Sequence, residues 1–154
     1  MSMIKLIERP GTGENLKMTN SYHQLGALLS ELEQKELSGE MVAFINTEVE
    51  KVNAIAGAEK NLAKAIKAAE TKIITKLEKE TKIVPKNYYR KLWLLLGISA
   101  FGLPLGVAFG LITGNMAFLG IGIPIGMGIG TAVGTGMDKK ALAQRRQLSI
   151  EVIH

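Results

Sequence analysis

The chain has 154 residues, enough for one modest domain plus a membrane anchor. It has no cysteine, which excludes disulfides, thiolate metal sites, cysteine nucleophiles and a lipid-modified cysteine. Its net charge of +5 is laid out in blocks: −4 over residues 1–59, +7 over 60–91, none over 92–137 and +2 over 138–154.

The N-terminal segment, residues 1–19, opens MSMIKLIERPG and has no apolar core of signal-peptide length, so no cleaved export signal is expected. Residues 2–8 alternate weakly and predict a short strand, broken by Pro10-Gly11-Thr12-Gly13. Residues 20–86 read as a cytoplasmic helical region. Asn20 or Ser21 caps a helix to about Leu37, with Leu25, Leu28, Leu29 and Leu32 on one face. Ser38-Gly39 interrupts, and a second helix from about Glu40 carries Val42, Ile45, Val49, Val52 and Ala56. Gly57 breaks or weakens it. The stretch from Ala58 to Ile83 sets Leu62, Ile66, Ala69, Ile73 and Leu77 on one stripe. Such stripes predict a helical hairpin or short coiled coil whose apolar faces pack together. Pro85 ends the pattern.

Residues 87–137 read as an interfacial segment followed by a transmembrane hairpin. Leu92 to Met137 is a 46-residue run without Asp, Glu, Lys, Arg or His. One crossing takes about 20 apolar residues, so the run fits two crossings, 92–113 and 116–137, joined at Gly114-Asn115. Tyr88, Tyr89, Arg90, Lys91 and Trp93 stand at its start as interface anchors, rings in the boundary and polar tips in water. Lys86 before the run and Lys139, Lys140, Arg145 and Arg146 after it are placed to meet lipid headgroups. The turn carries no charge. The positive-inside rule therefore predicts a multi-pass protein of the inner (cytoplasmic) membrane with both termini cytoplasmic, residues 138–154 forming a cytoplasmic tail. Within that tail 148–153 reads as a second short strand, and whether it pairs with the first is left open.

The glycine spacing is the sharpest signal. Gly102, Gly106 and Gly110 in the first crossing, and Gly122, Gly126, Gly130 and Gly134 in the second, recur in four-residue steps that keep them on one helix face. Helices in lipid associate by close packing, which glycine permits. Gly120, Gly128 and Gly136 form a second set on another face, enough for a neighbouring subunit as well, which predicts a homo-oligomer. The motifs Gly102-Leu-Pro-Leu-Gly106 and Gly122-Ile-Pro-Ile-Gly126 lie 20 residues apart and suggest a small internal repeat. Pro104 and Pro124 remove a donor inside each crossing and crowd the carbonyls of Ala100 and Gly120, so kinks are expected there, structural or hinge-like.

These glycine runs, followed by Met137-Asp138-Lys139-Lys140, resemble those of bacterial or archaeal glycine-zipper membrane proteins of mostly unassigned function. The resemblance covers roughly the last third of the chain and implies a two-helix membrane hairpin. The hairpin is also similar to the rotor-ring subunit of ATP synthases, but the mid-membrane carboxylate that family needs is missing, which excludes proton translocation of that kind.

Little else carries chemistry. His23 and His154 have no carboxylates at ligand spacing. Gly11-Thr12-Gly13 lacks the lysine of a phosphate loop. Glu48/Glu50 and Glu78/Glu80 read as solvated pairs. Ser99, Thr113, Thr131 and Thr135 are the intramembrane hydroxyls; Thr131 and Thr135 share a face and are expected to bond backbone carbonyls, the alternative being that they line a pore. No enzyme, cofactor, metal or nucleic-acid reading follows. The fold class expected is an all-α membrane protein: a cytoplasmic helical hairpin or coiled coil, then a two-helix transmembrane hairpin, with short terminal strands. The function expected is a homo-oligomerising membrane anchor or scaffold, its cytoplasmic helices binding each other or a protein partner; the alternative is a small homo-oligomeric pore.

Overall fold

The computed structural model describes residues 2–7, 16–55 and 59–152, and is all-helical over them. The expected breaks at Pro10–Gly13 and Gly57, the apolar Ala56, and the end of the C-terminal segment at Ile153 and His154 lie outside the described residues. Among the described residues there are five helices: α1 (Leu16–Glu33), α2 (Gly39–Asn53), α3 (Glu59–Thr81), α4 (Tyr88–Thr113) and α5 (Met116–Ala143). They belong to two units, one of Met1–Ile83 with Leu148–His154, the other of Val84–Gln147.

In the first unit α3 packs against both α1 and α2. The apolar stripes meet as their spacing requires. Leu25, Leu28 and Leu32 of α1, Met41, Ile45 and Val49 of α2, and Ile66, Ile73 and Leu77 of α3 are fully buried. Each such leucine or isoleucine contributes about 1.5–3 kcal/mol by leaving water. Helix α2 begins at an N-cap, where the Ser38 hydroxyl accepts from the Met41 N–H at 3.2 Å, and Glu40 in the first turn and Lys51 in the last complement its dipole. Helix α1 starts earlier than the Asn20 or Ser21 cap expected from sequence and stops at Glu33, so Ser21 is a buried helix-interior residue.

Two carboxylates lie in this core. Glu48 was expected to be solvated with Glu50; it is buried instead, because α3 brings Lys72 to 3.2 Å while Lys51 of its own helix stands at 2.5 Å. Burial alone would raise its pKa, but bonding to the two lysines outweighs that and lowers it. Glu70 sits four residues after Ile66, inside the apolar stripe of α3, and is fully buried. Gln24 of α1 donates to both its oxygens at 3.1 and 3.3 Å, and desolvation raises its pKa to about 7.

No strand forms among the described residues, which corrects the expectation of short terminal strands. Residues 2–7 form neither helix nor strand, and their backbone pairs with side chains. The Asn46 amide accepts from Ile4 N–H at 2.8 Å and donates to Ser2 C=O at 3.1 Å. Asn53 accepts from Ile7 N–H at 3.0 Å and donates to Lys5 C=O at 3.1 Å. Two helical turns of α2 advance about 10.5 Å, and three residues of extended chain about 10 Å, so the two amides match the peptide repeat. At the other terminus Ser149 N–H donates to the Glu31 carboxylate at 2.9 Å, while Leu148 and Val152 are buried. Ile4, Ile7 and Ser149 thus place their N–H groups on helix side chains.

Candidate membrane hairpin and its charged base

The second unit is an antiparallel pair, α4 and α5, each long and apolar enough to cross a membrane, at 26 and 28 residues. At about 1.5 Å per residue both exceed the ~30 Å of a hydrocarbon core. Gly114 makes the turn between them. Its φ of 66° lies in the left-handed region, and its N–H closes back on Gly110 and Leu111 carbonyls. Asn115 then caps the next turn, its side chain accepting from Ala117 N–H at 3.0 Å.

The packing of this pair inverts that of a soluble protein. Along the apolar stretch the buried positions are glycines: Gly97, Gly102, Gly106 and Gly110 on α4, and Gly122, Gly126, Gly130 and Gly134 on α5. A methyl group on Gly106 would come within 2.6 Å of the Leu119 carbonyl oxygen, and one on Gly134 within 2.5 Å of Arg90 Cα. One on Gly122 would overlap the Gly102 carbonyl and Gly106 backbone. At these positions backbone meets backbone; at Gly110 the nearest atom is the Met116 side-chain sulfur, at 3.0 Å. The aliphatic side chains point outward instead: Leu95 is 66% exposed, Leu111 69% and Ile112 82%. Only 22% and 17% of the most apolar stretches of the two helices are buried, whereas the core helix of a soluble protein is mostly buried.

Gly97 was not among the glycines expected at this interface. Five residues separate it from Gly102, which in a plain α-helix would swing it about 140° off the glycine face. Ile98–Gly102 form a π turn, in which Leu103 N–H bonds the Ile98 carbonyl five residues back. That turn absorbs one extra residue, and Gly97 faces Gly126 and Gly130. The turn directly precedes Pro104, which lies inside helix α4. Pro124 lies inside the continuous helix α5. Both prolines are on exposed faces. Gly120, Gly128 and Gly136 also face outward, with open space where each Cβ would be. The hydroxyls of Ser99 and Thr113 bond carbonyls of their own helix, at 3.1 Å to Leu95 and 2.7 Å to Phe109.

The open end of the hairpin is closed by polar contacts. Val84 N–H bonds the Arg146 carbonyl at 2.9 Å within an isolated parallel bridge between Val84 and Gln147. Tyr89 is buried there with Val84 and Ala141, and Tyr88, Trp93 and Met137 pack against them. The two tyrosine rings meet edge to face at 5.2 Å. The anchor residues are therefore divided: the tyrosines and Trp93 build a small core, while Arg90 and Lys91 are exposed. Lys86, Lys139, Lys140 and Arg145 are exposed as well, and Arg146 is half-buried with its guanidinium on Gln144.

Asp138 has a role that its place in the sequence does not announce. It is the only acid between Val84 and Gln147 and is buried, 6% exposed. Its two carboxylate oxygens accept from the backbone N–H groups of Tyr89 at 3.1 Å and Arg90 at 2.9 Å. Asn87 is at the N-cap of α4, but with φ 60° it is left-handed and makes no side-chain capping bond. The cap thus comes from the other helix. A lone carboxylate at the edge of an apolar run was the available signal. Among the described residues no cluster of three metal-ligating side chains occurs. Comparison with protein-family models, curated proteins and solved structures finds no match.

Proposed function

We propose that this chain is an integral membrane protein whose hairpin crosses the bilayer twice with both ends cytoplasmic, and which self-associates into a membrane scaffold. The observation that carries the membrane reading is the inverted packing: glycine inside, leucine and isoleucine outside. In water this surface would be a large aggregation liability; in hydrocarbon it costs nothing, and glycine contact supplies the packing that lipid cannot. The outward row of Gly120, Gly128 and Gly136 supports self-association, because the intramolecular interface does not use it.

The scaffold reading is favoured over a pore. The exposed faces are aliphatic, and the Ser99 and Thr113 hydroxyls are spent on carbonyls of their own helix. Native mass spectrometry in nanodiscs tests the assembly. Gly128→Leu with Gly136→Leu is expected to reduce subunit number while the monomer stays a folded hairpin. Unchanged subunit number, or a monomeric parent protein, would remove self-association from the account.

A further inference from the structure

The base of the hairpin carries a net positive charge. Between Val84 and Gln147 there are seven basic residues and one acid, a net charge of +6. All seven are at the open end, since the run from Leu92 to Met137 has no charge. The one acid does not offset them at the surface: Asp138 is buried and its two oxygens are taken by backbone N–H groups. Those two bonds do more than cap α4. They pin its first turn beside the last turns of α5, which brings exposed Arg90 and Lys91 to the same end as exposed Lys139 and Lys140. The next residue in the left-handed region, Arg145 with φ 56°, turns the chain there and adds a further exposed cation. Lys86 completes the group. Next along α4 stands the exposed aliphatic surface, Leu92, Leu95 and Leu96, so one molecule with an anionic head and apolar chains would satisfy both.

We infer that this end of the hairpin binds anionic phospholipids in preference to zwitterionic ones. The inference rests on the membrane reading above and specifies its lipid. Charge complementarity selects the occupant: each basic residue near an anionic surface contributes enough to change relative affinity about fivefold. Asp138, the one carboxylate of this unit, is withdrawn into the cap and leaves the exposed Arg90, Lys139, Lys140 and Arg145 to face the headgroups.

Trp93 is the only tryptophan, is half-buried at this end, and packs on Val84, Tyr89 and Ala141. It therefore reports directly on the lipid beside the base. The full chain is reconstituted in mixtures of phosphatidylcholine and phosphatidylglycerol in which one or the other carries brominated, quenching chains. The expected result is a relative binding constant for phosphatidylglycerol about fivefold or more above unity. In the triple variant Lys139→Gln, Lys140→Gln, Arg145→Gln the ratio is expected to fall toward one. Equal quenching by both lipids overturns the anionic preference and leaves the hairpin in the bilayer. An unchanged ratio in the triple variant overturns the assignment to these residues. Quenching by neither lipid overturns the membrane reading itself, and this inference with it.

Discussion

The carboxylate of Asp138 accepts the backbone N–H of Arg90 at 2.9 Å, so the last part of one apolar helix caps the first turn of the other. The bond spans 48 residues of sequence, and the companion bond to Tyr89 spans 49. Helix starts leave donors unsatisfied, and at a buried start each unpaired donor costs about 1–3 kcal/mol. Asp138→Ala is therefore expected to loosen the base of the hairpin by about 2 kcal/mol, while Asp138→Asn, which keeps an acceptor, costs less. Hydrogen exchange at the amides of Tyr89 and Arg90 measures it. Unchanged protection in the alanine variant would mean that the cap carries no weight.

The two sets of glycines on α5 are expected to behave oppositely. Gly122 faces backbone that has nowhere to move, so Gly122→Ala separates the helices. Gly128 faces open space, so Gly128→Ala changes the hairpin little and gains up to about 1 kcal/mol in helix propensity. Thermal unfolding in mild detergent, followed through Trp93, separates the two. A larger loss from Gly128→Ala than from Gly122→Ala would reverse the assignment of faces.

Glu70 gives the first unit a pH dependence with a defined sign. Its folded pKa of about 7 is above the ordinary carboxyl value of 4.5, so the folded state holds a proton that the unfolded state releases. Stability is therefore greatest below the unfolded value and falls as pH rises from 4.5 to about 7. The loss is about 3 kcal/mol for a shift of this size. Hydrogen exchange of α3 amides at pH 5 and pH 8, corrected for intrinsic rates, is expected to show it, and Glu70→Gln is expected to flatten it. Equal stability at both pH values in the parent chain would contradict the account.

What the sequence revealed and what it concealed follow from how local each signal is. Four-residue glycine steps map onto one face by helix geometry alone, and the seven glycines so placed are buried between the helices. Gly97 was hidden because its place on that face depends on the π turn, which no residue spacing announces. Asp138 was hidden because its partners are backbone atoms of a distant segment. Residues 2–7 have the alternation of a strand, but their partners are the amides of Asn46 and Asn53, seven residues apart on a helix, not another strand. Glu48 looked solvated beside Glu50 because only the fold brings Lys72 to it.

The central claim is that the glycine-lined pair crosses a bilayer as a hairpin. The chain has no native cysteine, so single cysteines can be placed at Ala117, beside the turn, and at Ser149, beyond the charged base, both exposed. The decisive measurement is labelling by a membrane-impermeant maleimide in intact cells. Ala117→Cys is expected to be labelled from outside, and Ser149→Cys only after the membrane is permeabilised. Labelling of both positions from the same side would contradict it.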